Sequence, residues 1–169
     1  MGAVRGTDAI GLLAVLGSLG FLASCGGGDF EAGAYTGSEE RPTSILSIRT
    51  ETEAATLSVQ VADTDEERAR GLMGVEHLPP DHGMAFVWDD PVWSEFWMKN
   101  TLIPLSIAFW DTSGRIVGIL DMHPCTSDSC PKYASPEPYV GAVEANLGWF
   151  GDRGVEVGDV VDLEVRAYA

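Results

Sequence analysis

The sequence predicts a β-rich α+β domain: a curled mixed or antiparallel sheet, or partial barrel, with one or two short helices. Three observations carry that reading. Short runs of alternating apolar and polar residues recur from Ile45 to Val165. Turn residues separate nearly all of them. Helical signals are confined to two short stretches, one after Thr64 and one near Trp149.

Leu57, Val59 and Val61 alternate with Ser58 and Gln60, the period of a half-buried strand. Thr64 followed by Glu67 is a capping box, and a short helix through Glu66, Arg68 and Arg70 is expected to end near Gly71. Pro79 to Gly83 is a turn, and Met84 to Trp88 is an apolar strand that Asp89-Asp90-Pro91 should break. Ser94 to Met98 is expected to be strand. Leu105, Ile107 and Phe109 alternate with Ser106, Ala108 and Trp110, and Asp111 to Gly114 turns the chain into a partner strand, Arg115 to Met122. His123 to Pro138 reads as a long loop with four prolines and two cysteines. Tyr139 to Asn146 and Val160 to Val165 are the last strands, with a short helix or turn around Trp149 to Arg153 between them.

The chain ahead of this domain is of a different kind. Arg5 and the amino terminus give a weakly positive start, and Ala9 to Leu22 is an uncharged apolar run. That run is short for a membrane-spanning helix, which needs about 20 residues. It ends in Leu22-Ala23-Ser24-Cys25, which resembles the lipobox of bacterial lipoproteins. The resemblance implies a signal peptide over 1–24, cleavage before Cys25, and lipidation of its sulfur. A multi-chain acyl anchor would hold the protein outside the cytoplasm on the cell membrane or outer membrane. Residues 25–44 are rich in Gly, Ser, Thr and Glu and read as a flexible tether, leaving 45–169 as a single globular domain.

The formal net charge of the 169-residue chain is −16, and the leader, with one base (Arg5) and one acid (Asp8), does not alter it. Such a surface repels phosphate backbones, so nucleic acid is not an expected partner. Nor does it gain from an anionic membrane surface, so membrane attachment falls to the lipid. Phosphate-loop, zinc-protease, nucleophile-elbow and dinucleotide fingerprints are missing, and no cofactor is implied.

Several motifs run in order through the domain: Arg70-Gly71-Leu72-Met73, Gly83-Met84-Ala85-Phe86, Phe96-Trp97-Met98-Lys99-Asn100-Thr101 and Ile103-Pro104-Leu105. The Gly114 hairpin, Pro124-Cys125, Cys130, Tyr133, Val143-Glu144 and Gly158-Asp159 follow. Over about Leu57 to Val165 the chain resembles the bacterial and archaeal domain of unknown function numbered 192, also called uncharacterised protein family 0127. The resemblance implies a compact β-rich fold, often exported, and no activity. Relatives often carry Asp after the Ile-Pro-Leu segment, where this chain has Ser106.

Candidate site residues come from chemistry placed where a core would not need it. Cys125 and Cys130 would form a disulfide in an exported domain; with His123 they could instead form a metal site, or serve as a redox pair. Met73, Met84, Met98 and Met122, with His77, His82 and His123, offer soft ligands suited to copper(I), but each Met sits among apolar neighbours and reads better as core. Trp88, Trp93, Trp97, Trp110 and Trp149 either present aromatic faces to sugars or proteins, or fill two apolar sheet faces. Alternation sets Trp110 and Phe109 on opposite faces. Lys99, Asn100 and Thr101 at a strand end could orient a polar ligand or satisfy loop carbonyls. Glu144, inside an apolar strand, requires a partner, for which Lys99, Arg68 and Arg70 are the candidates.

The leading expectation is a membrane-anchored binding or interaction module. Its cleft, built from Trp97, Lys99, Asn100, Thr101, Glu144 and the 123–138 loop, would take a small polar or sugar-like ligand. The rival is a cell-envelope enzyme using Glu144 with Lys99 or His123 as catalytic groups. A third reading is a scaffold whose aromatic face docks another envelope protein.

Overall fold

The computed structural model describes residues 43–165. The leader, Cys25 and all of the tether but its last two residues therefore lie outside the described residues. Nine strands and two short helices follow: β1 (Ser44–Arg49), β2 (Ala54–Ala62), α1 (Asp65–Arg70), β3 (His82–Val92), β4 (Glu95–Trp97) and β5 (Leu105–Trp110). Then come β6 (Ile116–Met122), β7 (Lys132–Ala134), β8 (Tyr139–Asn146), α2 (Trp149–Asp152) and β9 (Val160–Glu164). Seven strands form one mixed sheet in the order β6-β5-β8-β3-β2-β1-β9, and β4 pairs with β7 in a separate ribbon. The fold is β-rich α+β, as expected.

The sheet curls until its two edges touch. Arg115, beside β6, bridges Val160 at the start of β9. Around it Ile116 N–H donates to the Asp159 carbonyl at 2.8 Å, and Gly158 N–H donates to Ile116 at 2.8 Å. Edge groups that would be exposed at one end of an open sheet are paired there instead. The result is a partial barrel closed at that end. All pairings in the large sheet are antiparallel except β2 with β3, which run parallel and are joined through α1.

Successive side chains on a strand point to opposite faces, so the curled sheet has two cores. The concave one gathers Leu46, Ile48, Leu57, Val59, Val143 and Ala145, among others, and α2 plugs it with Trp149 and Phe150. Trp110 lies across Gly141 on β8; a Cβ there would sit 2.0 Å from the Trp110 ring. The second core, on the convex face, contains Phe86, Leu105, Ile107, Phe109, Tyr139 and Ala142, covered by Leu72, Val75, Leu78 and Met98 from the connecting segments. Phe109 and Trp110 are both buried, one on each face. Of the two readings of the tryptophans, two apolar faces is the one that describes Trp110 and Trp149.

Three elements differ from the sequence reading. β1 is a full strand where only a domain start was placed; it pairs with both β2 and β9, and it takes in Ser44 at the tether's expected end. β3 is not broken at Asp89-Asp90-Pro91 but runs on to Val92. Its register against β8 shifts between Val87 and Val92, so the acids and the proline occupy a bulge in which a missing N–H costs no ladder bond. β7 lies inside the expected long loop and pairs with β4 over three residues. Cys125 and Cys130 are disulfide-bonded.

Candidate functional site

Over the convex face the cover does not fill its space. A cavity of about 250 Å³ remains between α1, the segment after it, β4 and the sheet. β3 supplies Phe86 and Trp88 to its wall, β4 supplies Phe96 and Trp97, and β8 supplies Glu144. The rings form an edge-to-face set: Phe86 and Phe96 centroids are 5.0 Å apart, and Trp88 and Phe96 are 6.3 Å apart. Phe86 and Trp88 stand two apart on β3 and alternation turns both to this face; Phe96 and Trp97 are consecutive on β4, so Phe96 packs inward and Trp97, 40% exposed, forms the rim.

The helical side of the cavity is polar and positioned by capping. Thr64 Oγ accepts the Glu67 N–H at 3.3 Å, and Glu67 Oε2 accepts the Thr64 N–H at 3.1 Å. This reciprocal cap starts α1 as expected. Gly71 ends it with φ +48°, and the Phe86 ring lies 3.4 Å from where a Cβ would stand. Glycine thus admits both the backbone turn and the aromatic wall. Arg68 is fully committed: it donates to the Asp63 and Val87 carbonyls at 2.6 and 2.8 Å, pairs with Asp65 at 2.6 Å, and lies 5.2 Å over Trp88. Arg70 also lines the cavity and, among the described residues, its guanidinium has no hydrogen bond or ion pair.

Glu144 is the unusual member. Its neighbours across the sheet are Met84 and Ile107, and only 5% of its surface is exposed. Its carboxyl has no hydrogen-bond or charged partner among the described residues, and it borders the cavity. Burial pushes its pKa up from the ordinary carboxylate value to about 8. At neutral pH the cavity therefore has a largely protonated acid in its lining. Thr101 is equally buried and also lines the cavity, and among the described residues its hydroxyl has no hydrogen-bond partner.

The expected site residues divide. Trp97, Thr101 and Glu144 share the cavity. Lys99 does not join them: its Nζ pairs with Asp128 at 2.5 Å on the outer surface. The anticipated Glu144–Lys99 pair is thus absent, because Lys99 and Thr101 leave the chain on different sides of the turn at Asn100. Asn100 has φ +57°, a conformation that Asn tolerates better than most residues. Its N–H donates to the Cys125 carbonyl at 2.9 Å and its carbonyl accepts the Gly74 N–H at 2.9 Å. It ties three segments together and does not line the cavity. His123 is exposed and lies away from the cavity; its N–H donates to the Tyr133 hydroxyl at 3.3 Å. Trp93 is exposed, and Lys132 lies 4.5 Å over Trp97. Arg68 and Arg70, named from the sequence as possible partners of Glu144, do line the same cavity, but among the described residues neither forms an ion pair with it; Phe96 was legible only as part of a motif.

The profile of the family described as "Uncharacterized ACR", the domain of unknown function 192, matches residues 46–163. The chain belongs to this family. No curated protein matches it. Two solved structures are similar to it. A protein of Sinorhizobium meliloti, provisionally described as a transcription regulator, is 29% identical, with a TM-score of 0.68 over 75% of this chain and 98% of that one. A protein of unknown function from Novosphingobium aromaticivorans is 26% identical, with a TM-score of 0.69 over 78% of this chain and 92% of that one. Every residue lining the cavity falls within the matched domain 192 region. Ser106, where relatives were expected to carry Asp, donates to Asp121 at 2.5 Å on the neighbouring strand and accepts the Gly148 N–H at 2.9 Å. In this chain a carboxylate stands one strand away from that position, joined to it through a hydroxyl.

Proposed function

We propose that this domain 192 protein is an exported, lipid-anchored binding module that holds a small polar molecule in the convex-face cavity. The observation that carries the reading is Glu144: a buried carboxyl with no partner among the described residues, bordering an aromatic-walled space. An acid in such a place costs stability unless something compensates it. A ligand that pairs with it gives that cost a purpose. The volume lies below the 300–1,000 Å³ typical of drug-sized ligands and suits a small metabolite. Binding is favoured over catalysis because Lys99 and His123, the partners an enzyme would need, do not reach Glu144. With a net charge of −16, the chain is poorly suited to nucleic acid, whatever role the Sinorhizobium protein has.

Thermal melting of the full-length chain against a panel of small sugars, polyols, acids and amines tests the pocket. At least one should raise the midpoint, and Glu144→Leu should abolish the rise. A panel without effect overturns the binding reading. The anchor is tested separately: labelled palmitate should enter the parent protein and not Cys25→Ser in producing cells. Equal labelling would defeat the lipoprotein reading.

A further inference from the structure

We propose that the cavity takes a small hydroxylated carboxylic acid, of the sugar-acid or hydroxy-acid kind, with its carboxylate on Arg70 and its hydroxyl groups on Glu144 and Thr101. This rests on the binding reading above and names its ligand class.

The charges around the cavity point to an anion. Besides Glu144, its lining holds Asp65, Arg68, Arg70 and Glu95. Asp65 and Arg68 pair with each other, and Arg68 also serves the Asp63 and Val87 carbonyls. Glu95 lies on the same side of β4 as Trp97, opposite the inward Phe96, so alternation turns its carboxylate to solvent. Arg70 remains, exposed at the cavity, with no ion pair or hydrogen bond to its guanidinium among the described residues. The chain has 26 acids against 10 Lys and Arg, so acidic partners are plentiful, yet none of the described ones pairs with it. A base in the last turn of α1 suits the helix dipole, but that does not require it to line the cavity. Its planar fork fits a carboxylate, and one guanidinium suits one negative charge. The rings do not ask for a cation, because Arg68 already lies over Trp88 and Lys132 over Trp97. The wall offers apolar surface, chiefly from Phe86 and Phe96, for the C–H bonds of a carbon skeleton.

The hydroxyl groups follow from the two buried polar residues. Glu144 and Thr101 are each 5% exposed, and among the described residues their side-chain oxygens have no partner. No fully enclosed side-chain oxygen lacks a partner there, so these oxygens keep some access, and the cavity they line is where it opens. An acid without hydroxyls would leave both groups unsatisfied. Met84 and Ile107 flank Glu144 on the adjacent strands and no base pairs with it, so its carboxyl is largely neutral at pH 7, with an O–H donor and accepting oxygens. Thr101 likewise donates and accepts. A ligand hydroxyl does both, so it meets either group without a change of charge.

The neutral carboxyl gives binding a pH limit. The charged groups bordering it are Asp65, Arg68 and Arg70 from α1 and Glu95 from β4; Met84 on β3 and Ile107 on β5 carry none. An ionised Glu144 would share the cavity with the ligand's own negative charge. Affinity should therefore hold to about pH 8 and fall above it, by up to about tenfold at pH 9.

Calorimetric titration of the full-length chain tests this with two acids, glucuronate and glycerate, and three controls. Glucose and glycerol lack the charge, and cyclohexanecarboxylate keeps a ring and the charge but lacks the hydroxyls. At least one acid should bind about tenfold or more tightly than its uncharged counterpart and than cyclohexanecarboxylate. Arg70→Gln, at an exposed position, should bring that acid down to its uncharged counterpart. Glu144→Gln should keep affinity at pH 7 within about threefold and remove the decline at pH 9, because a neutral carboxamide also donates and accepts. The proposal is overturned if neither acid exceeds its uncharged counterpart, if cyclohexanecarboxylate binds as tightly as the acids, or if Arg70→Gln changes nothing. Loss of binding in a folded Glu144→Gln variant overturns it too. Each of these outcomes leaves the broader binding reading standing as long as some small molecule raises the melting midpoint. If no probe binds and the wider panel is also inert, both readings fall.

Discussion

The two faces of the sheet are built from the same strands and end in opposite conditions. β8 turns Val143 and Ala145 to the concave side and Ala142 and Glu144 to the convex side. Curvature closes the concave side: edges meet, α2 enters, and Trp149 and Phe150 complete the packing. The convex side cannot be closed by curvature and depends on α1, the β4–β7 ribbon and connecting segments. Such cover needs caps, turns and backbone partners, so it brings polar groups with it and leaves space between them. The lesson is that a partial barrel stabilises itself on the inside and is free to recognise something on the outside.

Truncation should separate the faces most strongly. Phe150→Ala removes a fully buried ring from the concave core and should cost about 3–5 kcal/mol. Phe96→Ala removes a ring that already borders open space, so the lost volume merges with the cavity and the cost should be nearer 2 kcal/mol. Urea unfolding compares them, and equal losses would remove the distinction between a closed and an open face.

The next effect depends on pH. Folding raises the Glu144 pKa to about 8, so the folded state holds a proton that the unfolded chain releases near its ordinary value of 4.5. Stability is then full below about pH 4.5, declines as pH rises, and levels off beyond about 8. Glu144→Gln removes this slope. It should match the parent at pH 5 and exceed it at pH 9 by on the order of 3 kcal/mol. A variant weaker than the parent at both pH values would mean that the carboxylate is paired after all. Among the described residues the concave core cluster contains no acid, and Asp81, which accepts the Trp149 indole N–H beside it, is held toward its charged form, so Val143→Thr should shift stability by the same amount at both pH values.

What the sequence disclosed follows the same division. The strands β2, β5, β6, β8 and β9, the α1 cap and the Gly114 turn are local signals, and alternation or capping chemistry exposes them. Short β7 has too few residues for a period, and its existence depends on meeting β4 some 35 residues away in sequence. The site was legible by type and not by geometry. Glu144 stood out because an acid in an apolar strand needs an explanation, and Trp97 and Thr101 because they share a motif. Lys99 was drawn in by the same motif, yet a left-handed turn at Asn100 separates it from Thr101. Backbone conformation at one residue is not visible in composition or spacing.

The disulfide sharpens the picture of how the convex cover is held. Cys125 N–H donates to the Met98 carbonyl at 3.3 Å, and its carbonyl receives the Asn100 N–H, so the bridge to Cys130 braces the segment beside the motif. Closing so short a loop is worth about 2 kcal/mol on the chain-entropy argument. Thiol counting by mass should find no free cysteine at these positions without reductant. Cys125→Ser with Cys130→Ser should lower stability by that amount and increase hydrogen exchange at Asn100 more than at Ile48, on the concave face. Uniform exchange across both would mean that the bridge supports the whole fold and not the cover.

The smallest expected effect concerns Lys99, and it separates a structural surface pair from a buried one. Had Lys99 paired with Glu144 inside the domain, removing either would leave an uncompensated buried charge, costing about 3–5 kcal/mol. Its partner is instead Asp128, whose side chain is fully exposed, and the Lys99 side chain keeps 23% of its surface in solvent. Water and salt screen such a pair, and two long side chains lose freedom in forming it. A double-mutant cycle with Lys99→Met and Asp128→Asn should give a coupling of about 0.2–1 kcal/mol, shrinking further in high salt. The corresponding cycle between Lys99→Met and Glu144→Gln should give additive losses, since the two side chains share no partner. A coupling above about 2 kcal/mol in the second cycle would bring Lys99 back to the pocket and make Glu144 half of a buried ion pair. The cavity would then need no ligand to account for its acid, and the convex face would be as self-sufficient as the concave one.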